Sequence, residues 1–318
     1  MLAIMRSVGT TGEALFVIYA RSRNSGYKSS MTQSTRRQFR DLLKPGAALI
    51  LPGVSNALAA RVVADLGFPA AYITGAGIAN TYLGIPDNGL VSLTELVDHV
   101  AAIREVFPGP LMVDADTGFG NAMNMMRTVR LLERAGADAI QIEDQVFPKR
   151  CGHFDGKETI PSAEMVAKVK AAADARTDGD LLIVARTDAI ATDGFDPAME
   201  RAHRYREAGA DVGFVEAPKT PEQIAAIGKL PWPQLVNIVL GGRTPELPND
   251  KLKQLGFAGV LYANLALQAS VRGMQLALGA LHKNGQVGDA DALAVDFSER
   301  QRLVGKDAFD ALEKKYKI

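Results

Sequence analysis

From about Phe39 onward, the sequence alternates between short apolar segments and longer segments with helical periodicity. The short segments have four to seven residues and the composition of buried strands, and the longer segments repeat their apolar residues as amphipathic helices do. Such alternation is typical of βαβ units around a parallel sheet. The predicted strands span residues 48–54, 70–74, 111–114, 139–143, 181–186, 212–216, 234–238 and 259–262, and the predicted helices span residues 55–66, 92–106, 121–135, 162–175, 196–208, 220–229, 248–255 and 266–284.

Glycines mark the ends of several predicted helices. Gly67, Gly136, Gly209 and Gly256 each stand where a helix stops before the next strand, a position where the left-handed conformation is common. Eight βα units close naturally as a (β/α)₈ TIM barrel. The structural alternative is an open doubly wound sheet, but no glycine-rich dinucleotide fingerprint follows the first strand. We therefore predict an α/β barrel domain over residues 36–285.

The two ends of the chain depart from this pattern. Residues 1–30 show no sustained periodicity, and we predict over residues 1–35 a flexible leader, or an upstream start ahead of a true beginning at Met31, in preference to a transit peptide. Residues 286–318 contain Phe309, Leu312 and Tyr316 on one helical face. Because an apolar stripe beyond a completed barrel must cover something, we predict a C-terminal helical extension.

Composition limits the classes of partner. The 318 residues include 36 acidic and 36 basic side chains, so charge gives no reason to expect nucleic acid or an anionic membrane as partner. No apolar run approaches the roughly 20 residues of a membrane span. The single cysteine excludes an intramolecular disulfide and fits a reducing compartment, which favours the cytoplasm.

Polar side chains fall at the carboxyl ends of the predicted strands. In TIM barrels, the active site lies at that end. Chance placement would also populate the strand starts, and these are nearly bare. The residues at or just beyond the strand ends are Thr74, Gly75, Asp114, Asp116, Glu143, Asp144, Arg186, Asp188, Glu216 and Asn237.

Four carboxylates of this rim suggest a cation site. Asp114 and Asp116 follow one strand, Glu143 ends the next, and Asp87 lies in the loop Gly84-Ile85-Pro86-Asp87. Carboxylates are costly to bury unless they are paired or bound to a cation, and Mg²⁺ prefers oxygen ligands. An isolated Asp-x-Asp is more typical of a solvated turn, so the prediction of Mg²⁺, or Mn²⁺ in its place, depends on the combination.

The sequence allows two interpretations of the role of Cys151 and two of the role of Arg186. A lone cysteine is commonly a small buried hydrophobe, but Lys149, Arg150 and His153 around Cys151 favour the thiolate. Arg186 closes an apolar strand, where it can pair with a neighbouring acid or bind a substrate carboxylate through its fork of donors.

The run Lys149-Arg150-Cys151-Gly152-His153, behind the segments 113–120 and 142–145, resembles the isocitrate lyase and phosphoenolpyruvate mutase superfamily. The resemblance extends from about Phe39 to beyond Arg272, and the run itself resembles the carbon–carbon lyase branch rather than the phosphonate mutases. It implies cleavage of a 2-hydroxy di- or tricarboxylate into a 2-oxoacid and a second carboxylate. It also implies a homotetramer whose subunits exchange C-terminal helices.

The resemblance implies three groups of site residues. The implied catalytic residues are Tyr72, Glu143, Lys149, Cys151 and His153, with Cys151 as the acid/base on a mobile lid. The implied substrate-binding residues are Thr74, Gly75, Ala76, Gly152, Arg186, Glu216 and Asn237. The implied Mg²⁺ ligands are Asp87, Asp114, Asp116 and Glu143.

Two departures from the family pattern bear on the substrate. Lyases for 2-methylisocitrate usually carry a basic residue where this chain has Phe154, and an Arg where it has Gln268. Residues 241–245 look like those of relatives that act on malate-type dicarboxylates, such as 2,3-dimethylmalate lyase and oxaloacetate hydrolase. Arg243 or Arg272 could supply the missing charge, so 2-methylisocitrate lyase stays an alternative.

Two hypotheses come from other classes. An inactive barrel used as a binding scaffold requires degenerate site residues, and here the site residues are intact. A Mg²⁺-dependent aldolase for neutral carbonyl compounds is disfavoured by Arg186, which predicts an anionic substrate.

Overall fold

Eight parallel strands form a closed barrel in a computed structural model that describes residues 33–150, 152, 156–286 and 294–317. Each strand pairs with the next along the chain, and β1 pairs with β8 to close the barrel. The predicted TIM barrel is confirmed, with every strand boundary within one residue of its predicted position. The strands are β1 Leu49–Val54, β2 Ala71–Ile73, β3 Leu111–Asp114, β4 Ala139–Glu143, β5 Leu182–Thr187, β6 Val212–Val215, β7 Gln234–Asn237 and β8 Gly259–Tyr262.

The eight predicted helices are also present, each with its ends within two residues of the prediction. They are α2 Ala57–Asp65, α4 Leu93–Val106, α5 Ala122–Ala135, α6 Ser162–Ala175, α8 Phe195–Glu207, α9 Pro221–Gly228, α10 Asn249–Leu255 and α11 Leu265–Asn284. The glycines Gly67, Gly136, Gly209 and Gly256 all have positive φ, as their place at helix ends predicts.

Further short elements complete the described chain. They are α1 Thr35–Leu42, α3 Gly75–Ile78, a π-helical turn Ala79–Leu83, α7 Ala189–Thr192, α12 Phe297–Leu303 and α13 Lys306–Tyr316. Helix α1 begins at the last residue of the predicted leader, and residues 1–32 lie outside the described residues. Helices α12 and α13 lie within the predicted C-terminal extension.

The apolar core has an inner and an outer layer because strand side chains alternate in direction. In β3, Met112 joins the cluster inside the barrel, whereas Leu111 and Val113 join the cluster beneath the surrounding helices. Both faces are therefore buried, which explains the continuously apolar strand sequences. Phe39 of α1 belongs to the inner cluster, so α1 covers the amino-terminal end of the barrel.

The amino-terminal rim corrects one expectation, because strand starts are not bare of charge. Asp138 and Asp211 directly precede β4 and β6. The Asp138 Oδ2 atom lies 2.6 Å from Arg104 Nη2, and the Asp211 Oδ2 atom lies 2.7 Å from Arg176 Nη1. Asp138 also accepts the backbone N–H of Leu111 at 2.8 Å. These acids are matched by arginines, which identifies them as structural.

Helix α11 differs from the other long barrel helices because none of its residues is buried. Its apolar stripe follows helical spacing and comprises Leu267, Val271, Met274, Leu278 and Leu281. An apolar groove of about 710 Å³ runs between α2 and the first turns of α11. In the described part of the chain, no helix has both the length and the apolar character required to cross a membrane.

Candidate active site

The candidate site lies where the rows of side chains that face into the barrel change from apolar to polar. Tyr72, Met112, Val184, Phe214 and Leu235 belong to the inner cluster. Two residues further along each strand, on the same face, the side chain becomes polar. The polar continuations are Thr74, Asp114, Arg186, Glu216 and Asn237. Because these rows end at the same mouth of the barrel, the predicted rim residues converge there.

The four predicted metal ligands are buried together at this mouth. Asp87, Asp114, Asp116 and Glu143 are each at most 9% exposed. Asp116 takes a left-handed φ of 48° in the turn after β3. A Cβ on Gly75 would lie 3.2 Å from oxygens of both Asp114 and Asp116, so this residue has little room for a side chain.

Lys149 lies among these carboxylates. Its Nζ atom is 2.5 Å from Asp87 Oδ1 and 2.7 Å from Asp116 Oδ1. Burial by itself lowers the pKa of Lys149, but the attraction of the surrounding carboxylates outweighs burial and raises that pKa well above its usual value. Lys149 is therefore charged. Burial raises the pKa of Asp116 to about 6, although Lys149 opposes the shift.

Glu143 combines burial with an unsatisfied oxygen. It is the register partner of Arg186 across β4 and β5, and its Oε2 atom lies 3.3 Å from Arg186 Nη1. The Oε1 atom is buried without a hydrogen-bond partner among the described residues. Burial raises the pKa of Glu143 well above its usual value, although Arg186 opposes the shift. A carboxylate oxygen in this setting is suited to bind a cation or a proton.

The residues present fit a hard cation. Within the described ranges, no three His, Cys, Asp or Glu side chains are already arranged as a metal site. The ammonium of Lys149 instead occupies a position between Asp87 and Asp116 and stands in for a cation there. The donors are all carboxylate oxygens, and Glu143 Oε1 has no hydrogen-bond partner in the described part of the chain, which matches the ligand preference of Mg²⁺.

The structure supports both interpretations of Arg186, as the partner of a neighbouring acid and as a ligand for a substrate carboxylate. Its Nε and Nη2 atoms donate to the two oxygens of Asp188 at 2.9 and 3.0 Å, which is the ion pair with a neighbouring acid. The guanidinium nevertheless remains at the mouth, where Arg186 and Glu216 line a small cavity, and it lies over the ring of Phe214 at 5.4 Å. Burial lowers the pKa of Arg186, but Asp188, with nearby glutamates, more than reverses the shift.

Tyr72 reaches the carboxylates through Gln141. Its hydroxyl donates to Gln141 Oε1 at 3.2 Å, and Gln141 Nε2 donates to Asp114 Oδ1 at 3.1 Å. Burial, assisted by the charge of Asp114, raises the pKa of Tyr72 well above 10. The hydroxyl is therefore protonated, and it donates its one proton to Gln141.

The segment Thr74–Ala76 forms the start of α3 beside the carboxylates. Thr74 Oγ1 accepts the N–H of Gly77 at 3.3 Å, so this side chain caps the helix. Gly75 N donates to Asp114 Oδ2 at 3.4 Å. Ala76 lines the small cavity at the mouth together with Asn237.

The loop after β4 carries the predicted acid/base residue. Cys151 and His153 lie outside the described residues, as does Phe154. Gly152 is described, and a Cβ there would lie 2.4 Å from Arg186 Nη2 and 2.9 Å from Glu216 Cγ. This residue therefore packs directly on two predicted substrate-binding side chains, which leaves no room for a larger residue.

Two neighbouring spaces lie at the mouth. The inner cavity, of about 30 Å³, has room for a water molecule but is too small for a dicarboxylate, and its walls include Tyr72, Asp114 and Arg186. The outer cavity, of about 570 Å³, shares Ala76, Asp87 and Asn264 with it. Substrate entry therefore requires the inner cavity to enlarge.

Sequence reasoning missed two residues of this region and the hydrogen-bond partners of a third. Gln141, which links Tyr72 to Asp114, was detectable as a polar residue inside an apolar strand. Asp144 was placed at the rim, but it accepts the Thr187 and Tyr205 hydroxyls at 2.7 Å and joins strand ends. Lys157 is buried next to Gly152, and nothing in the sequence separates it from a solvated loop lysine.

Comparison with known proteins adds independent findings. The sequence profile of the family described as phosphoenolpyruvate phosphomutase matches residues 39–282. A 2,3-dimethylmalate lyase from Eubacterium barkeri is 42% identical over 284 residues, which are 89% of this chain and 98% of that protein. A 2-methylisocitrate lyase from Aeropyrum pernix is 43% identical over 247 residues, 77% of this chain and 79% of that protein. The solved structure of a phosphonopyruvate hydrolase complex with oxalate and Mg²⁺ superimposes with a TM-score of 0.81 at 30% identity, covering 89% of this chain and 99% of that one.

Proposed function

This chain belongs to the phosphoenolpyruvate mutase and isocitrate lyase superfamily as a carbon–carbon lyase, and from that membership we propose that it cleaves a C3-alkylated malate. The products are a 2-oxoacid and a second carboxylic acid. The observation that carries the proposal is the buried group of carboxylates beside Arg186 at the barrel mouth. The similarity to 2,3-dimethylmalate lyase over 98% of its length supports this substrate class.

We propose Mg²⁺ as the cofactor, with Mn²⁺ able to replace it. Asp87, Asp114, Asp116 and Glu143 would hold the ion, as their oxygen donors and the orphaned Glu143 Oε1 indicate. When bound, the ion supplies polarisation of the substrate carboxylate and 2-oxygen. A related phosphonopyruvate hydrolase was solved with Mg²⁺ and oxalate, which supports the assignment.

The protein's own groups bind the substrate and supply a proton. Arg186 and the backbone of Thr74–Ala76 bind the carboxylate next to the hydroxyl, and the protonated Tyr72 turns its hydrogen bond from Gln141 to that hydroxyl. The 2-hydroxyl proton passes to Glu143 as the C2–C3 bond breaks, which forms the 2-oxoacid carbonyl and leaves the electron pair of the broken bond on C3, next to a carboxylate. We propose that the Cys151 thiol protonates C3, with the loop excluding water. Lys149 and His153, which lie near Cys151 in the sequence, stabilise the thiolate that this transfer leaves.

The function is tested by incubating the purified protein with a panel of 2-hydroxy acids and measuring 2-oxoacid release with and without EDTA. Release from 2,3-dimethylmalate supports the proposal. Activity only on neutral hydroxycarbonyl compounds would identify an aldolase, and no turnover of any compound would favour a binding scaffold. Activity confined to oxaloacetate or a phosphonate would identify those branches of the superfamily.

We place the activity in the cytoplasm, because the essential thiol must remain reduced.

The walls of the outer cavity predict the substrate preference. The described lining residues include Ile85, Leu240 and Leu267, and the sole charged one is Asp87. Gln268 Nε2 donates to the Leu240 carbonyl at 3.1 Å. Neither Arg243 nor Arg272 is among the described residues that line the two spaces. The distal wall thus suits an alkyl group rather than another carboxylate.

We expect kcat/KM for 2,3-dimethylmalate to exceed that for 2-methylisocitrate. A buried methyl gains about 0.8 kcal/mol, whereas a buried carboxylate without a partner is penalised more heavily. Gln268→Arg should move the ratio of the two kcat/KM values toward the tricarboxylate, and Gln268→Met serves as the uncharged control. Faster cleavage of 2-methylisocitrate by the wild type would contradict this preference.

We propose a homotetramer in which subunits exchange C-terminal helices. The support is the exposed apolar stripe of α11 and the apolar groove of about 710 Å³ beside it. Phe309 and Tyr316 of α13 are likewise at least half exposed. The sequence pointed to the apolar face of α13 as the contact between subunits, whereas the main support for the proposal comes from the exposed apolar stripe of α11.

Light scattering should give the mass of four chains for the wild type. Leu278→Glu places a charge within the apolar stripe and should lower that mass, because a buried unpaired carboxylate is costly. Lys283→Glu is the matched control on the polar side of α11 and should leave the mass unchanged. A monomeric wild type would rule the assembly out.

A further inference from the structure

Lys157 is a buried lysine to which the proposed mechanism gives no role. Its side chain is 1% exposed, and its Nζ atom makes two contacts. One is to the Gly152 carbonyl oxygen at 2.5 Å, and the other is to Asp188 Oδ1 at 2.8 Å. A buried ammonium is costly unless it is paired and hydrogen-bonded, so this position requires both acceptors.

Both contacts of Lys157 lead to Arg186. Asp188 binds the Arg186 guanidinium through both carboxylate oxygens. Gly152 also packs on Arg186, since a Cβ there would lie 2.4 Å from Nη2. Lys157, Asp188, Arg186 and Gly152 thus form a closed ring of contacts. The ring joins the loop residue that follows Cys151 to the proposed carboxylate-binding arginine.

We propose that Lys157 is a positioning residue that holds the Gly152 backbone on Arg186 and so sets the place of Cys151 relative to the bound substrate. The inference rests on the proposed function, because it takes Cys151 as the acid and Arg186 as the carboxylate ligand. Lys157 is not among the described residues that line the two spaces at the mouth, so it is not placed to contact the substrate. It acts through Gly152, and a displacement of about 1 Å in such a group can cost about 100-fold in rate.

The described residues at the base of the loop are held independently of Lys157. Val146 N donates to Glu158 O at 2.8 Å, and Gln145 bonds both the N–H and the carbonyl of Arg150 at 2.9 Å. Asp188 keeps its two bonds from Arg186 when Lys157 is removed. Substitution of Lys157 should therefore release the backbone at Gly152 while the base of the loop and the barrel persist.

Because Cys151 is the single cysteine of the chain, a thiol reagent reports on this position alone, and no other cysteine has to be replaced. The second-order rate of Cys151 alkylation by iodoacetamide is measured against pH for the wild type and Lys157→Met. The midpoint of each curve reports the thiol pKa, whereas the plateau at high pH reports access to the thiol. For Lys157→Met we expect a plateau at least about tenfold higher, and a kcat about 100-fold lower with KM changed less than about threefold.

Controls separate positioning from a purely structural role. Glu158→Gln removes the charge of the neighbouring, exposed loop residue and should match the wild type in plateau and kcat. Lys157→Arg keeps a cationic donor and should recover at least about tenfold of the lost kcat. If Lys157→Met fails to fold, Lys157→Gln, which keeps an N–H donor of similar size, is judged by the same plateau and kcat.

A folded Lys157→Met with the wild-type plateau and kcat would overturn the inference. So would a folded variant in which kcat falls while the plateau stays at the wild-type value. The alkylation assay requires no turnover. A wild type without lyase activity would therefore refute the proposed function, while a raised plateau in Lys157→Met would still support the positioning role.

Discussion

Replacement of Cys151 by serine is expected to abolish turnover and to leave binding of substrate or product largely intact. A serine hydroxyl is far less acidic than a thiol and transfers its proton poorly to a carbanion. The change is nearly isosteric, so the packing of Gly152 on Arg186 and Glu216 should persist. Steady-state kinetics should give a kcat below a tenth of the wild-type value, and calorimetry with oxalate should give an unchanged Kd.

Cys151→Ala serves as the control for this experiment, because it removes the donor altogether. The serine and alanine variants should be equally inactive if proton donation by the thiol is required. A serine variant that kept more than a tenth of the wild-type kcat, a loss of under about 1.4 kcal/mol, would show that the thiol is not the acid.

Excess chelator is expected to remove all activity, and Asp114→Ala should lose metal binding with a modest loss of stability. Asp114 accepts hydrogen bonds from Gln141 Nε2 and Gly75 N but does not belong to the apolar core. Leaving such donors unpaired costs about 1–3 kcal/mol. Mn²⁺ titration followed by electron paramagnetic resonance measures the binding, and thermal unfolding measures the stability.

Asp138→Ala is the matched control at the opposite end of the barrel. Asp138 is also a buried aspartate, but Arg104 and the Leu111 N–H satisfy it. Its removal leaves a charge without its partner, which typically costs about 3–5 kcal/mol, whereas Mn²⁺ affinity should stay at the wild-type value. Full activity in excess chelator, or wild-type Mn²⁺ affinity in Asp114→Ala, would contradict the metal site.

This contrast between the two ends of the barrel separates structural from functional acids. At the amino-terminal rim, Asp138 and Asp211 are matched by arginines that tie helices to strand starts. At the carboxyl rim, acidic groups outnumber the basic ones, and Lys149 is shared between Asp87 and Asp116. Glu143 Oε1 is left without a partner among the described residues. Excess buried negative charge is the electrostatic signature of a cation site.

The barrel fold, and which residues lie at the carboxyl ends of its strands, followed from the sequence alone, because both depend on local periodicity. Side-chain direction repeats every two residues in strands and about every 3.6 in helices, so apolar spacing predicted every strand within one residue. Parallel strands bring their carboxyl ends together, so Asp114, Glu143 and Arg186 had to meet. Glycines with positive φ, such as Gly136, marked the helix ends.

Pairing at the rim was decided only by the tertiary structure. Lys149 meets Asp87 across 62 residues of chain, and Lys157 meets Asp188 across 31. Such partners are chosen by the closure of the barrel and the return path of the loop, and no local period encodes them. The same reason explains α11: its helical pattern predicts an apolar face, but only the packed barrel shows that the described residues leave this face uncovered.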